Sequence, residues 1–357
     1  MFIVKQVLED SAVIFDTDEE VKDIVSVNFL QKINVSILGV TKPPLDIRAI
    51  GINEYIDYLF TVAKINGTPQ EIPTNVKGYF CKMIDDELTL CVDSQQVDYG
   101  LEQELKIPWG TTAFDVQQFN SLWCGKIVKV TIPSSFAKIP NYAFFKCSTL
   151  REVVIPATVH SVGDSAFEDC ESLTSVYLGN VKHLGSRAFT YCKSLKSVYL
   201  YDYLQTFGDS VFYACTSLEN IHMPKYFMGK VGKSMFSHCS SLKKIVLPKK
   251  TRSIEEAAFS YCTGLEEVQF GRGLETIQSF VFEGCTSLRE LIIPSGVSVI
   301  GANAFANCKQ LQMVKMPRGE GGVDSSIFYG CIRLKRVKLA TGANYPADFF
   351  PKNVIVE

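Results

Sequence analysis

Twelve cysteines and four histidines are the residues of this 357-residue chain best suited to hold a metal or act as nucleophiles, and nine of the cysteines are evenly placed. Cys147, Cys170, Cys192, Cys215, Cys239, Cys262, Cys285, Cys308 and Cys331 follow one another at spacings of 23, 22, 23, 24, 23, 23, 23 and 23. Thiolates ligate zinc and iron–sulfur clusters, but equal spacing argues against both. Equivalent side chains of stacked units point the same way and stay near the ~4.8 Å strand spacing, outside the ~3.5–4.5 Å between Cβ atoms that a disulfide prefers. A tetrahedral site needs ligands that converge. The spacing therefore predicts a ladder of buried, protonated thiols packing as small hydrophobes, with no metal and no cofactor. Cys81 and Cys91 lie on opposite strands of an expected hairpin and are the one pair worth testing, with packing again the favoured role.

The remaining chemistry is sparse. His238 adjoins Cys239, a ladder member whose buried thiol is unreactive, and His160 and His183 fall at matching positions of adjacent units as expected exposed loop residues. Arg318-Gly-Glu-Gly-Gly322 lacks the Lys-Ser/Thr of a phosphate loop and reads as a widened turn. Asp85-Asp86 and Glu255-Glu256 are adjacent rather than facing, as solvated acids are. Nothing here makes an enzyme.

The elements that position these residues come from the repeat. A phenylalanine stands three residues before each of the nine cysteines, from Phe144 to Phe328, although Phe is only 24 of 357 residues, so chance cannot place them. Apolar residues follow at three, six and eight positions, as Leu150, Val153 and Ile155 do after Cys147. The unit reads C-x-x-L-x-x-V-x-I-P-x-x-V-x-x-I-G-x-x-A-F-x-x. Its V-x-I step has the period of a strand, ended by proline at Pro133, Pro156, Pro224, Pro248, Pro294 and Pro317. One strand per unit, always entered from the same side, makes a parallel sheet, and the Ile-Gly-x-x-Ala-Phe-x-x-Cys part returns along the other face. Neither half buries its apolar side alone, so stability must come from stacking and both ends need caps. A half repeat starts at Cys124, with Ser121 in place of Phe; Val116, Phe119 and Trp123 have the spacing of a helical lid over that edge, in a capping segment 111–123. Asn353 to Glu357 is placed to add a last strand.

This pattern resembles the BspA-like leucine-rich repeats of the Treponema pallidum type, over residues 124 to about 350. The resemblance implies a curved leucine-rich repeat solenoid, a concave parallel β-sheet with irregular or short helical returns, used in the family to bind proteins or other macromolecules, often at a cell surface.

Residues 1–110 lack the period and read as a separate α+β domain, joined through the capping segment to the array over 124–357. Acids at positions 18–20 before Val21, Ile24 and Val25 suggest a helix from Thr17 to about Lys32. Ile52, Tyr55, Ile56, Leu59, Phe60 and Ala63 give a cleaner amphipathic helix, and Tyr79–Ile84 with Leu88–Val92 a hairpin. Charge separates the parts: residues 1–123 hold 9 Lys and Arg against 19 Asp and Glu, net −10, and residues 124–357 hold 27 against 19, net +8. The whole chain, at net −2, lacks the basic excess of a nucleic-acid binder. Lys5, Glu9 and Asp10 interrupt the apolar core a secretory signal needs, and no stretch reaches the length of a membrane span. A cytoplasmic location is the expectation, or a surface or virion location if the chain is built into a larger structure.

If Val and Ile of V-x-I face the core, the residue between them lines the concave surface. That column runs Thr131, Val154, Tyr177, Tyr199, His222, Val246, Gln269, Ile292, Lys315, Lys338. Tyr201, Tyr203 and Tyr226 follow the same strands, so five tyrosines and His222 are the candidate partner-binding patch, with tyrosine's area and polar tip suiting a hot spot. Strand propensity alone explains the tyrosines equally well. Lys315, Lys335, Arg336 and Lys338 form a second, basic feature able to guide an acidic partner. The expected function is non-enzymatic binding of a macromolecule, most simply a protein, or else a structural or receptor-binding role in a large assembly anchored by the N-terminal part.

Overall fold

The computed structural model describes residues 3–8, 11–15, 21–26, 72–84, 87–93, 95–97, 100, 102–107, 110–115, 124–319, 322–346 and 349–357. Ile3–Leu8, Ser11–Phe15 and Val21–Ser26 form an antiparallel three-stranded sheet. This corrects the helix expected from Thr17: Val21, Ile24 and Val25 fit a helical stripe, but Val and Ile are stiff at χ1 and favour strands once a partner strand is at hand. The helix expected over 52–63 and the lid over 116–123 lie outside the described residues. The hairpin is present, with Tyr79–Ile84 antiparallel to Glu87–Val92. Cys81 is opposite Leu90 and Cys91 opposite Phe80, so the two thiols occupy opposite faces of the hairpin and remain unlinked.

From residue 103 onward the chain coils. Its main sheet runs in parallel register from Gln103–Lys106 through Ile127–Thr131, Glu152–Val154, Ser175–Tyr177 and Ser197–Tyr199 to Asn220–His222. It continues as the pair Lys244–Val246 and Glu267–Gln269, then as Glu290–Ile292, Met313–Met316, Arg336–Leu339 and Ile355–Val356. Register holds turn by turn, with Val153 beside Val130 and Val176, because a slip of one residue would turn the valines out. A second ladder, which the sequence pattern did not reveal, stacks two-residue strands such as Ser161–Val162, His183–Leu184 and Thr276–Ile277. The only helical piece among the described residues is one 3-10 turn, Ser325–Phe328.

The return segments carry a third set of rungs. The N–H of Phe144 donates to Ala166 O of the next turn, Phe167 to Ala188 and Phe189 to Val211, and the pattern persists to Phe305 and Ile327. To aim these groups along the stack, residues two before and two after the phenylalanine adopt positive φ, as at Ser165 and Asp169. Inside, the nine phenylalanine rings stack with centroids 4.9 to 5.9 Å apart. Phe114 closes the N-terminal end against Phe144 at 5.5 Å, and Phe350 meets Phe328 at the other. One buried cluster runs unbroken from Val76 to Phe349.

The thiol ladder is present, with a use the spacing did not show. From Cys170 to Cys331 each Sγ donates to the carbonyl of the phenylalanine one turn earlier, at 3.0 to 3.2 Å. One pair departs from the expectation of reduced thiols: Cys124 and Cys147 are joined as a disulfide. Their Cα atoms are 5.3 Å apart, inside the range a disulfide spans, so stacking distance alone does not forbid the link between adjacent turns.

Candidate interaction surface

The strands alternate as the V-x-I step requires: Val130, Val153, Val176, Val198 and Ile245 are buried, while every residue from Val154 to Lys338 in the outward column is exposed. Tyr177, Tyr199 and His222 sit on consecutive strands in direct register. Tyr199 stacks on His222 at 5.0 Å, and Tyr201 folds back to touch Tyr199 at 4.4 Å and Tyr177 at 5.3 Å. A hydrogen bond with Tyr177, aided by lost hydration, pushes the Tyr201 phenol up to about 12. Tyr177 and Tyr199 still expose 61% and 50% of their surface, so the rings hold each other without being covered. Small polar Ser175, Ser197 and Asn220 flank the rings, and ion pairs bound the patch at each end, Lys129–Glu152 at 3.1 Å and Lys244–Glu267 at 3.0 Å.

Tyr203 and Tyr226, assigned to the same patch from sequence, are exposed but make no ring contact with those four; Tyr226 instead lies under the Lys225 ammonium at 5.3 Å. Of the basic residues, Lys315 and Lys338 are register neighbours, and Arg336 pairs with Met313. Lys335 precedes them on the same turn. All four are exposed, and none makes an ion pair with a described residue.

From Cys170 to Cys285 the thiols are chemically quiet. Burial pushes Cys262 up to about 12 and raises its neighbours well above the ordinary thiol value. His238 stacks on Tyr261 at 5.1 Å and meets Tyr213 at 5.4 Å, part of an outward row with Tyr191 along the return face that the sequence reading missed. Its signal was present, at one or two residues before the ladder cysteines. His183 lies in a short strand, not a loop, with Nδ1 2.8 Å from Thr206 Oγ1. Glu255 is not simply solvated: it is half-buried and accepts from Ser253 and Gln278. No helix among the described residues is long and apolar enough to cross a membrane, and none of their His, Cys, Asp or Glu side chains cluster to hold a metal.

Parallel strands stacked at a 23-residue period, with columns of Leu, Val, Ile, Phe and Cys inside, define a leucine-rich repeat solenoid. The model of the BspA type leucine rich repeat region matches residues 113–229 and 229–350 in six copies, and the chain belongs to that family. A leucine-rich repeat protein from Bacteroides ovatus is 26% identical over 76% of this chain and 70% of its own, with a TM-score of 0.64. The pneumococcal vaccine antigen PcpA is 19% identical over 81% of this chain and 93% of its own, with a TM-score of 0.44. The Treponema pallidum leucine-rich repeat protein is 23% identical over 68% of this chain and 91% of its own, at 0.39. No curated protein matches the chain.

Proposed function

We propose that the chain is a non-enzymatic binding module that grips a protein partner through the concave strand face, centred on Tyr177, Tyr199, Tyr201 and His222. The observation that carries this is the ring cluster itself: three exposed rings and the half-buried Tyr201 form one chain of contacts on a rigid sheet between two ion pairs. Strand propensity explains a tyrosine in a strand but not Tyr201, which lies just beyond the strand Ser197–Tyr199 and turns back onto it. Preformed aromatic surface loses little entropy on binding. Tyr203 and Tyr226 form the rim, and the cations Lys315, Lys335, Arg336 and Lys338, unpaired among the described residues, steer a partner whose matching surface is acidic.

The test takes the partner captured by the intact chain and measures its affinity for the triple variant Tyr177→Ala, Tyr199→Ala, His222→Ala. A loss of about 100-fold or more is expected, at ~1–2 kcal/mol for each anchoring ring, with the melting temperature nearly unchanged because none of the three is in the core. Equal affinity would move the binding surface elsewhere. Lys315→Glu with Lys338→Glu should slow association and flatten its salt dependence while changing dissociation little; a change confined to dissociation would remove the steering role.

A further inference from the structure

Between Cys215 and Cys239 the spacing widens to 24 residues, and both parallel ladders break there. The main sheet stops at Asn220–His222 and restarts at Lys244–Val246, and the short-strand ladder stops at Thr206–Phe207 and resumes at Ser253–Ile254. Within the short-strand gap an isolated bridge pairs Val231 with Ile254, while the return-face rungs cross the seam unbroken, with Phe212 N–H donating to Met235 O. On the short-strand side of this seam opens a cavity of about 600 Å³, within the range of small-molecule sites. Its wall draws on four successive turns, from Gln205 and Asp209 to Gln278. Its wall is closely packed at two glycines: a Cβ on Gly229 would lie 2.4 Å from the Phe227 ring, and one on Gly232 2.8 Å from the Gly208 carbonyl.

The lining states what could bind. Glu255 is central, with Oε1 accepting from Ser253 Oγ at 2.7 Å and facing Lys230 Nζ at 3.3 Å, and Oε2 accepting from Gln278 Nε2 at 2.7 Å. Beside it Lys233 pairs with Glu256 at 2.8 Å. Both lysines are engaged, and with Asp209 the carboxylates outnumber the ammonium groups, so an anion gains nothing here and a zwitterion would have to break existing pairs. The hydrophobic side chains of the lining are Phe207 and the buried Phe227, edge to face at 4.8 Å, a face for one ring amid polar groups rather than for a wholly hydrophobic ligand. A hydroxyl both donates and accepts, so neighbouring hydroxyls can bridge a carboxylate and an ammonium group without separating them, while the C–H face of the same ring packs on Phe207. We propose that this cavity is a binding site for a neutral saccharide, separate from the strand-face surface.

Calorimetry on the full chain with maltotriose, cellotriose and chitotriose, extended to an array of neutral glycans and with inorganic phosphate as the anionic control, tests this. At least one neutral glycan should bind. Glu255→Gln, which keeps the shape and removes the charge-assisted acceptor, should weaken it at least about tenfold, and Gln205→Trp, which fills the mouth from an exposed position, should abolish it. The strand-face triple variant should bind the glycan normally, which separates this site from the one above. The proposal is overturned if no neutral glycan binds, if phosphate binds more tightly than any of them, or if both cavity variants, shown folded by their melting curves, bind unchanged.

Discussion

Left-handed backbone recurs twice in nearly every coil at residues that are not glycine. Tyr142 and Lys146, Arg187 and Tyr191, and Ala257 and Tyr261 all hold φ between 57° and 61°. A Cβ in this region costs about 1–2 kcal/mol, tolerated because the rungs between turns need those groups aimed along the stack. Ala257→Gly should therefore stabilise the chain, by up to about 1 kcal/mol in denaturant unfolding; a destabilised variant would mean that the left-handed turns carry no strain. The thiols supply a second residue-scale expectation. Burial holds Cys81 and Cys262 near 12, whereas an unfolded thiol ionises near 9. Ionisation then favours the unfolded chain, so stability is full below about pH 9 and falls as pH climbs from there toward 12. Native protein at pH 8 should resist alkylation from Cys170 to Cys285, and guanidinium should make every one of those thiols reactive. Rapid native labelling at these positions would show that the ladder opens.

At the scale of elements, what was legible follows from period. The Phe, Cys, Leu and Val columns recur at fixed offsets, so the inward face and the outward column could be read before any coordinate. The second ladder could not, because its outward position changes type from Lys138 to Ser161, His183 and Thr206, and two-residue strands leave no alternation to detect. Nor could the seam be read as a cavity: a single extra residue before Cys239 was its only trace. Tyr203 and Tyr226 show the limit of column arguments, since residues beyond a strand's end escape its alternation. The phenylalanine stack and the tyrosine cluster should respond oppositely to truncation. Phe236→Ala, in the middle of the stack between Phe212 and Phe259, should cost about 3–5 kcal/mol, and Tyr199→Ala less than about 1 kcal/mol. Similar losses would mean that the surface rings also hold the fold.

Over the whole molecule, stability is a sum over neighbouring turns, so the ends matter as much as the middle. Ile355–Val356 covers the edge of Arg336–Leu339, with Ile355 N donating to Lys335 O at 2.8 Å and Leu339 N to Glu357 O at 2.7 Å. Removing residues 353–357 bares that edge, and such edges pair with other chains. The truncated protein should melt a few degrees lower and scatter light as it self-associates, whereas unchanged scattering would show the edge protected by other means. The rungs of the return face have a direction, each phenylalanine N–H pointing to a carbonyl of the following turn and each thiol to a carbonyl of the preceding one. During synthesis on the ribosome, every freshly emerged coil is therefore left with a row of unmet donors until the next 23 or so residues arrive. The last of these rungs, from Phe305 to Ile327, lands on the 3-10 turn Ser325–Phe328, which Asp324 caps locally, its carboxylate taking the Ser326 N–H at 2.8 Å.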